Sequence, residues 1–583
     1  MTVLMKVKQY IPALEWLPNY RSDWLKNDLF AGLTVGVMLV PQGMAYALLA
    51  GMPPIYGLYG GLIPLLVYAF LGTSRQLSIG PVAVSGLLVL AGVSQLAEPF
   101  TPHYIELVLL TSLLVGFFQL FMGVFRLGII FNFLSQPVIT GFTSAAAVII
   151  VFSQIKYALG MDIPREMNIL EKLTHLSRHL GEIHWPTLLI CLGGVLLMIG
   201  LRRWNRKIPG ALFVTALSIL IVYIFRLDRY GVDIVQDVPV GLPHFSIPIL
   251  GLESIKELIP TVLSVSIIGA VEIISIGTVL QKKHRDHTVR PNQEMFATGL
   301  SKIAGAFFQA LPTSSSFTRS AVNSEAGGKT GMSSVFTAIL VALTLIFLTP
   351  LFYYLPNAVL AAIVLLAVRS LFDWQEAMRL WRVHRKDFYM MLVTFLATLF
   401  IGIAEGVLTG VLLSIGVVLL KAARPHSAIL GRLPDTQYFR NTLRFPQAQE
   451  EEGVIIFRFD APLYFMNAAY FGQQMEEIIK DPGLRLVILD ASSITDMDAS
   501  GAEMLNTVVD NIESANINFY ICGVLGPVRD LFQETGLVEK IGPKNHFLTV
   551  NEAVKAWNTV GKERDRQWKS EAIRTWKERE IQK

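Results

Sequence analysis

The sequence predicts a mostly α-helical membrane domain of fourteen apolar segments in two sets of seven, followed by a small α/β domain. Three observations carry this. Of the 583 residues, 52% are hydrophobic and 16% charged, where a soluble globular chain carries about a quarter of its residues as Asp, Glu, Lys and Arg. Nearly uncharged runs long enough for a crossing of roughly 20 residues recur from Leu29 to Leu420. Beyond them the composition turns polar, and short apolar strands alternate with helices, the signature of βαβ units.

Residues 1–28 hold Lys6, Lys8, Arg21 and Lys26 with Pro12 and Pro18, and lack the apolar core of a cleavable signal. They read as a cytoplasmic lead-in. The membrane domain then spans 29–421. Its first seven segments are 29–49, 55–72, 80–96, 104–124, 133–156, 186–201 and 210–225. The second seven are 258–280, 292–310, 317–326, 332–350, 357–371, 387–403 and 405–421. With the N-terminus inside, cytoplasmic loops hold Arg75, Arg126, Arg202, Arg203, Arg206, Lys207, Lys282, Lys283, Arg285, Arg290, Lys329, Arg369, Arg379, Arg382, Arg385 and Lys386. External loops hold fewer: Arg165, Lys172, Arg178, Arg226, Arg229 and Lys256. This is the positive-inside asymmetry. It predicts an even number of spans, both termini cytoplasmic, and residence in the cytoplasmic membrane.

Two segments are irregular. The third opens on Gly80-Pro81-Val82-Ala83-Val84-Ser85-Gly86, and the tenth follows Pro312-Thr313-Ser314-Ser315-Ser316. Each is short for a full span and each is third in its set. Broken helices at matching positions of two halves point to an inverted repeat with a binding site at the midplane.

The stretch 422–450, with Pro434 and Pro446, reads as a linker. Residues 451–560 read as the α/β domain: strands at Val454–Phe459, Arg485–Asp490 and Ile517–Ile521, helices at Asn467–Lys480 and Ala499–Asp510. The charged stretch 561–583 reads as a frayed tail.

Two ionisable residues stand out at membrane depth, where a charge is expensive and marks a pathway. Glu272 is the lone carboxylate of its segment. A carboxylate there suits a proton-coupling residue; a structural partner for a buried cation is the alternative. Arg319 opens the tenth segment beside Thr318 and Ser320. Its guanidinium fork suits an oxyanion, and a helix start adds about half a positive charge. Val82, Ala83 and Val84 from one half-helix, and Thr318, Arg319 and Ser320 from the other, are thus expected to cradle an anion. The alternative is that Arg319 neutralises Glu272 and the serines only cap a helix. Pro41-Gln42-Gly43 interrupts the first segment, and Gln42 and Tyr46, four apart, share a helix face. They read equally as ligand contacts or as a Pro-kinked packing surface.

The net charge of +4 implies no nucleic-acid surface. Cys191 and Cys522 lie in different regions and suggest neither a disulfide nor a metal site. There is no phosphate-binding Gly-Lys-Ser/Thr loop, no metal-ligand spacing and no nucleophile–base set, so neither a cofactor nor an enzymatic reaction is expected.

Pro41-Gln42-Gly43-Met44-Ala45-Tyr46-Ala47, Pro53-Pro54-Ile55-Tyr56-Gly57, Gly72-Thr73-Ser74-Arg75-Gln76-Leu77-Ser78-Ile79-Gly80-Pro81, Asn292-Gln293-Glu294 and Ser316-Phe317-Thr318-Arg319-Ser320-Ala321-Val322-Asn323 together resemble the sulfate permease (SulP) family of anion transporters. The resemblance implies a core domain moving against a gate domain in an elevator-like motion, a homodimer, and an anion site at Gln42, Tyr46, Val82, Thr318 and Arg319. It also implies a proton-coupling carboxylate at Glu272. The tail resembles a STAS domain. Asp498-Ala499-Ser500-Gly501 matches its Asp-Ser-Ser-Gly loop, which makes Ser500 a candidate phosphorylation site and the domain a candidate docking site for a regulatory protein. The expected function is sulfate–proton symport. Sodium-coupled bicarbonate transport and proton-coupled dicarboxylate transport are the rivals within transport. A membrane-anchored STAS signalling protein is the rival from another class.

Overall fold

The computed structural model describes residues 10–128, 135–164, 167, 169–204, 209–248, 251–285 and 287–561. Lys6, Lys8, Arg165, Arg206, Lys207 and the tail from 562 onward lie outside the described residues. Two compact units emerge, 1–415 and 416–583.

Each of the fourteen expected segments falls on helix, the last of them running across the boundary of the first unit. In order these are α1 (Ser22–Leu49), α2 (Pro54–Gly60) with α3 (Ile63–Leu71), α4 (Ala83–Val93), α5 (Pro102–Val124), α6 (Gln136–Leu159), α8 (Trp185–Trp204) and α9 (Gly210–Phe225). The second set is α10 (Leu252–His284), α11 (Pro291–Phe307), α12 (Phe317–Glu325), α13 (Met332–Leu343), α14 (Asn357–Val368), α16 (Arg385–Phe400) and α17 (Ile403–Ala423). Two amphipathic helices sit between segments, α7 (Ile169–Arg178) and α15 (Trp374–Val383). Among the described residues, eight helical stretches are long and apolar enough to cross a membrane.

Three details differ from the sequence reading. Helix α1 runs unbroken through Pro41, so the proline does not interrupt it; Pro removes one backbone donor but leaves the rest of a long, well-packed helix in place. The second segment does break, at Gly61-Leu62, where α1 crowds it: a Cβ on Gly61 would lie 2.5 Å from Leu39 Cδ2. And α13 loosens into a π-turn at Thr344–Leu348 and then a 3₁₀ stretch at Thr349–Tyr354 around Pro350.

The halves pack with exchanged partners. Helix α5 packs on α11 as α13 packs on α3; α13 on α1 as α5 on α10; α16 on α6 as α8 on α14; and α12 on α1 as α4 on α10. Every pair maps onto its mate when the first seven segments are swapped with the second seven. The two irregular connections meet directly. Strand β1 (Ile79–Gly80) pairs antiparallel with β2 (Ser314–Ser315), Ile79 opposite Ser315 and Gly80 opposite Ser314. Ser316 N–H donates to Ser78 O at 3.0 Å and Ser78 N–H to Ser320 Oγ at 2.9 Å, extending the crossing. Two short helices, α4 and α12, therefore start from one two-stranded junction.

The second unit is a mixed six-stranded sheet in the order β4-β3-β5-β6-β7-β8. Its strands are β3 (Ser427–Arg432), β4 (Phe439–Asn441), β5 (Val454–Phe459), β6 (Leu486–Asp490), β7 (Asn518–Cys522) and β8 (His546–Phe547). Strands β5 to β8 are parallel, connected by α18 (Phe465–Ile479), α19 (Ala499–Ser514) and the short helices α20 (Gly526–Glu534) and α21 (Leu537–Ile541); α22 (Val550–Ala556) follows β8. The stretch 422–450, expected to be a linker, contains β3 and β4; β3 pairs antiparallel with β5, and β4 pairs antiparallel with β3 on its other side. Strand β6 is buried along its whole length, as a central parallel strand must be.

Candidate anion site

The β1–β2 crossing fixes what surrounds Arg319. The residue lies in the first turn of α12, whose N-cap Ser316 accepts from the Arg319 backbone N–H at 3.4 Å. Its side chain is fully buried, 0% exposed. Nη1 donates to Gln42 Oε1 at 3.5 Å, a long contact. Nε and Nη2 have no partner among the described residues. Those two nitrogens carry at least three N–H donors, out of the guanidinium's five. A buried charge without acceptors is costly, so the geometry asks for a negatively charged occupant.

The surroundings supply further donors. Gly80 faces the guanidinium: a Cβ there would lie 3.1 Å from Nη2. The hydroxyls of Ser78, Thr313 and Ser315 are buried and without partners among the described residues. Helix α4 has Val82 at its N-cap, with no side chain capping the first N–H groups, which a helix start leaves free. Val82, Ala83 and Val84 are all buried at that end.

Gln42 and Tyr46 share the face of α1 that meets α12 and α4. Gln42 reaches Arg319, and Tyr46 lies within electrostatic reach of it. A Cβ on Gly86 of α4 would lie 3.1 Å from Tyr46 O, so α4 rests on the same turn of α1. Gln42, Tyr46, Val82, Ala83, Val84 and Arg319 thus come together. Ser320 is at the junction, but its hydroxyl is occupied by Ser78 N–H. Thr318 points away and is exposed, next to Phe317 at 59% exposure. Ser500 belongs to the second unit, exposed in the first turn of α19, where Asp498 already caps Gly501 N–H at 2.8 Å.

Glu272 does not neutralise Arg319. Among the described residues no ion pair joins them; Glu272 Oε2 instead accepts from Ser314 Oγ of β2 at 2.6 Å. The cation that acts on Glu272 is Lys302 of α11. Lys302 is 2% exposed and donates to Gln119 Oε1 of α5 at 2.8 Å; Gln119 Nε2 donates to Ser266 O of α10 at 3.0 Å. Sequence reasoning missed Lys302 and Gln119. The available signal was a single lysine inside the apolar run 292–310.

Comparison with known proteins agrees with this architecture. Residues 25–394 match the sulfate permease family and residues 445–553 the STAS domain. The chain is 38% identical to Sulfate transporter 4.1, chloroplastic, of Arabidopsis thaliana, over 93% of its own length and 82% of that protein's. It superimposes on the murine Slc26a9 anion transporter in the inward-facing state with a TM-score of 0.87, at 28% identity, covering 95% of this chain and 94% of that one. The transmembrane domain of a cyanobacterial bicarbonate transporter, BicA, shares the fold, with a TM-score of 0.59 at 21% identity, over 68% of this chain and 99% of that one.

Proposed function

This chain belongs to the sulfate permease family, multi-pass membrane anion transporters, and we propose that it imports sulfate together with a proton by elevator-like alternating access. The observation that carries the reading is the fully buried Arg319 with unpartnered Nε and Nη2, set between two helix starts. The name of the Arabidopsis relative supports sulfate as the anion. The bond from Ser314 to Glu272 supports coupling, because Ser314 is paired with Gly80, which itself faces the guanidinium. A proton on Glu272 and an anion beside Arg319 would therefore be felt through one short strand pair.

In the proposed cycle the outward-open protein takes a proton on Glu272 and an anion at the α4–α12 junction. The proton offsets part of the anion's charge and lowers the cost of carrying the loaded core past apolar walls. The core shifts and both leave inward. No bond is made or broken beyond proton transfer. The charged loops support the cytoplasmic membrane with both termini inside. A homodimer, a regulatory protein bound to the STAS domain, and phosphorylation at exposed Ser500 complete the proposal; intact-mass analysis of native protein tests the last.

The experiment is radiolabelled sulfate uptake into proteoliposomes with and without an inward proton gradient. Wild type should accumulate sulfate with the gradient. Arg319→Ala should lose sulfate binding by at least about a hundredfold, the scale of a lost buried charge-assisted contact. Glu272→Gln should retain downhill exchange and lose gradient-driven accumulation. Accumulation that survives Glu272→Gln removes that residue from coupling. No sulfate uptake under any gradient moves the substrate to bicarbonate with sodium, or to dicarboxylates.

A further inference from the structure

Lys302 is a second buried cation, which makes no contact with Arg319 or Gln42 among the described residues. It lies in α11 within electrostatic reach of Glu272, with no ion-pair contact to it among the described residues, and its Nζ donates to a neutral amide, Gln119. A charge in that position is expensive, and a methionine or glutamine would fill the same space more cheaply.

The network around it leads to the anion site. Gln119 hands the contact on to Ser266 O on α10. One turn further along α10, a Cβ on Gly269 would lie 3.5 Å from both Gln119 Nε2 and Ser314 Oγ. Ser314 bonds Glu272 and is paired with Gly80, and Gly80 faces Arg319. The charged groups facing this space are Lys302 from α11, Arg319 from α12 and Glu272 from α10 itself; α5 contributes the neutral Gln119 and β2 the neutral Ser314. With Glu272 ionised the sum is one positive charge. With Glu272 protonated it is two, the charge that a dianion cancels.

We propose that Lys302 is a specificity-determining residue that tunes the site to dianions over monoanions. This rests on the reading of the Arg319 pocket as the anion site. The reason is Coulombic: the energy a fixed charge contributes scales with the charge of the anion. Deleting one positive charge should therefore cost a dianion the square of the factor it costs a monoanion. A general packing defect would weaken both by the same factor.

The test is equilibrium binding of sulfate and of chloride to the purified full-length protein, with the sulfate-to-chloride affinity ratio as the readout. In Lys302→Gln, a loss of about tenfold for chloride should accompany a loss of about a hundredfold for sulfate, so the ratio falls about tenfold. Lys302→Arg keeps the charge and should hold the ratio within about threefold of wild type. Gln119→Glu keeps the lysine in place while cancelling its charge, and should reproduce the fall if Lys302→Gln does not fold. An unchanged ratio in both charge-removing variants overturns the proposal. If wild type binds sulfate and Arg319→Ala abolishes it while the ratio ignores Lys302, this inference alone fails. If wild type binds neither anion, the pocket assignment fails and takes this inference with it.

Discussion

Gly57 of α2 sits where a Cβ would overlap the backbone carbonyl of Gly43 in α1, and a Cβ on Gly43 would lie 2.9 Å from Gly57 O. The two glycines let the helices touch backbone to backbone one residue from Gln42. Gly57→Val must push them apart. It should destabilise the protein by about 3 kcal/mol, at the upper end for overpacking, and weaken sulfate binding with it because Gln42 moves. Thermal unfolding in detergent with and without sulfate checks both; a variant as stable as wild type would mean that the helices can separate freely. At this scale the sequence was partly legible. Glu272 stood out because it interrupts an apolar run with a charge, and Arg319 because it opens a short, irregular membrane segment beside Thr318 and Ser320. Lys302 did not, because its segment also carries Asn292, Gln293, Glu294 and Ser301, so one more polar residue there does not mark a site; the packing of α5 against α11 turns it inward to Gln119. The Gly43–Gly57 contact carried no signal at all, since glycines are common in membrane helices.

Between elements, buried carboxylates hold turns in place. Glu294, in the first turn of α11, is 0% exposed and accepts from Tyr68 Oη at 2.7 Å, Thr73 N–H at 2.7 Å, Ser74 N–H at 3.3 Å, and the Thr73 hydroxyl. Asp28 does the same for the turn before α13, accepting from Lys329 N–H at 2.6 Å and Thr330 N–H at 3.1 Å. Removing Glu294 strands several buried donors at once. Glu294→Ala should cost about 3 kcal/mol or more, seen as a lower melting temperature, while Glu294→Gln, which keeps one carbonyl acceptor, should cost less. Equal, small losses in both would mean that water replaces the carboxylate. In the second unit, Asp460 shows how charge ties strand ends. Burial opposes its ionisation, but hydrogen bonds from Arg458 Nε at 2.6 Å and His426 Nδ1 at 2.7 Å outweigh this and hold the carboxyl below its usual range. A depressed folded value gives stability that is full above the unfolded value of about 4 and drains as pH falls through the folded one. Hydrogen-exchange protection of β3 and β5 in the full-length protein, relative to the intrinsic rate at each pH, should therefore fall in acid, and Asp460→Asn should flatten that dependence below about pH 4. The partner strand β3 was illegible beforehand. It lies in a polar stretch with Pro434 and Pro446 nearby, and it shows only a short alternating pattern, buried at Ala428 and Leu430 and exposed at Ile429. Strands β5 and β6 could be read because they are apolar nearly throughout.

Across the whole molecule, the matched irregularities of the two halves were more informative than any single motif. Two broken helices at corresponding places required that the halves meet there, and they do, residue against residue, at Gly80 and Ser314. The helix partnerships could not be read in advance, because which apolar face packs on which depends on shape that hydropathy does not encode. Among the described residues, every group assigned to the proposed anion pocket, from Gln42 to Arg319, belongs to the unit 1–415. The transport reading and the rival of a membrane-anchored signalling protein part company here. If transport is the work of the first unit, a chain ending after α17 at Ala423 should bind sulfate within about threefold of the full-length protein, whatever happens to its turnover or assembly. The first unit has its own apolar core, and the sheet has two of its own, so the truncated chain keeps the core of the first unit. Titration calorimetry of the truncated and complete proteins checks this. Lost binding in a truncated chain that still unfolds cooperatively would mean that the STAS domain holds the pocket in its binding shape, and would make the domain part of the transporter's working site.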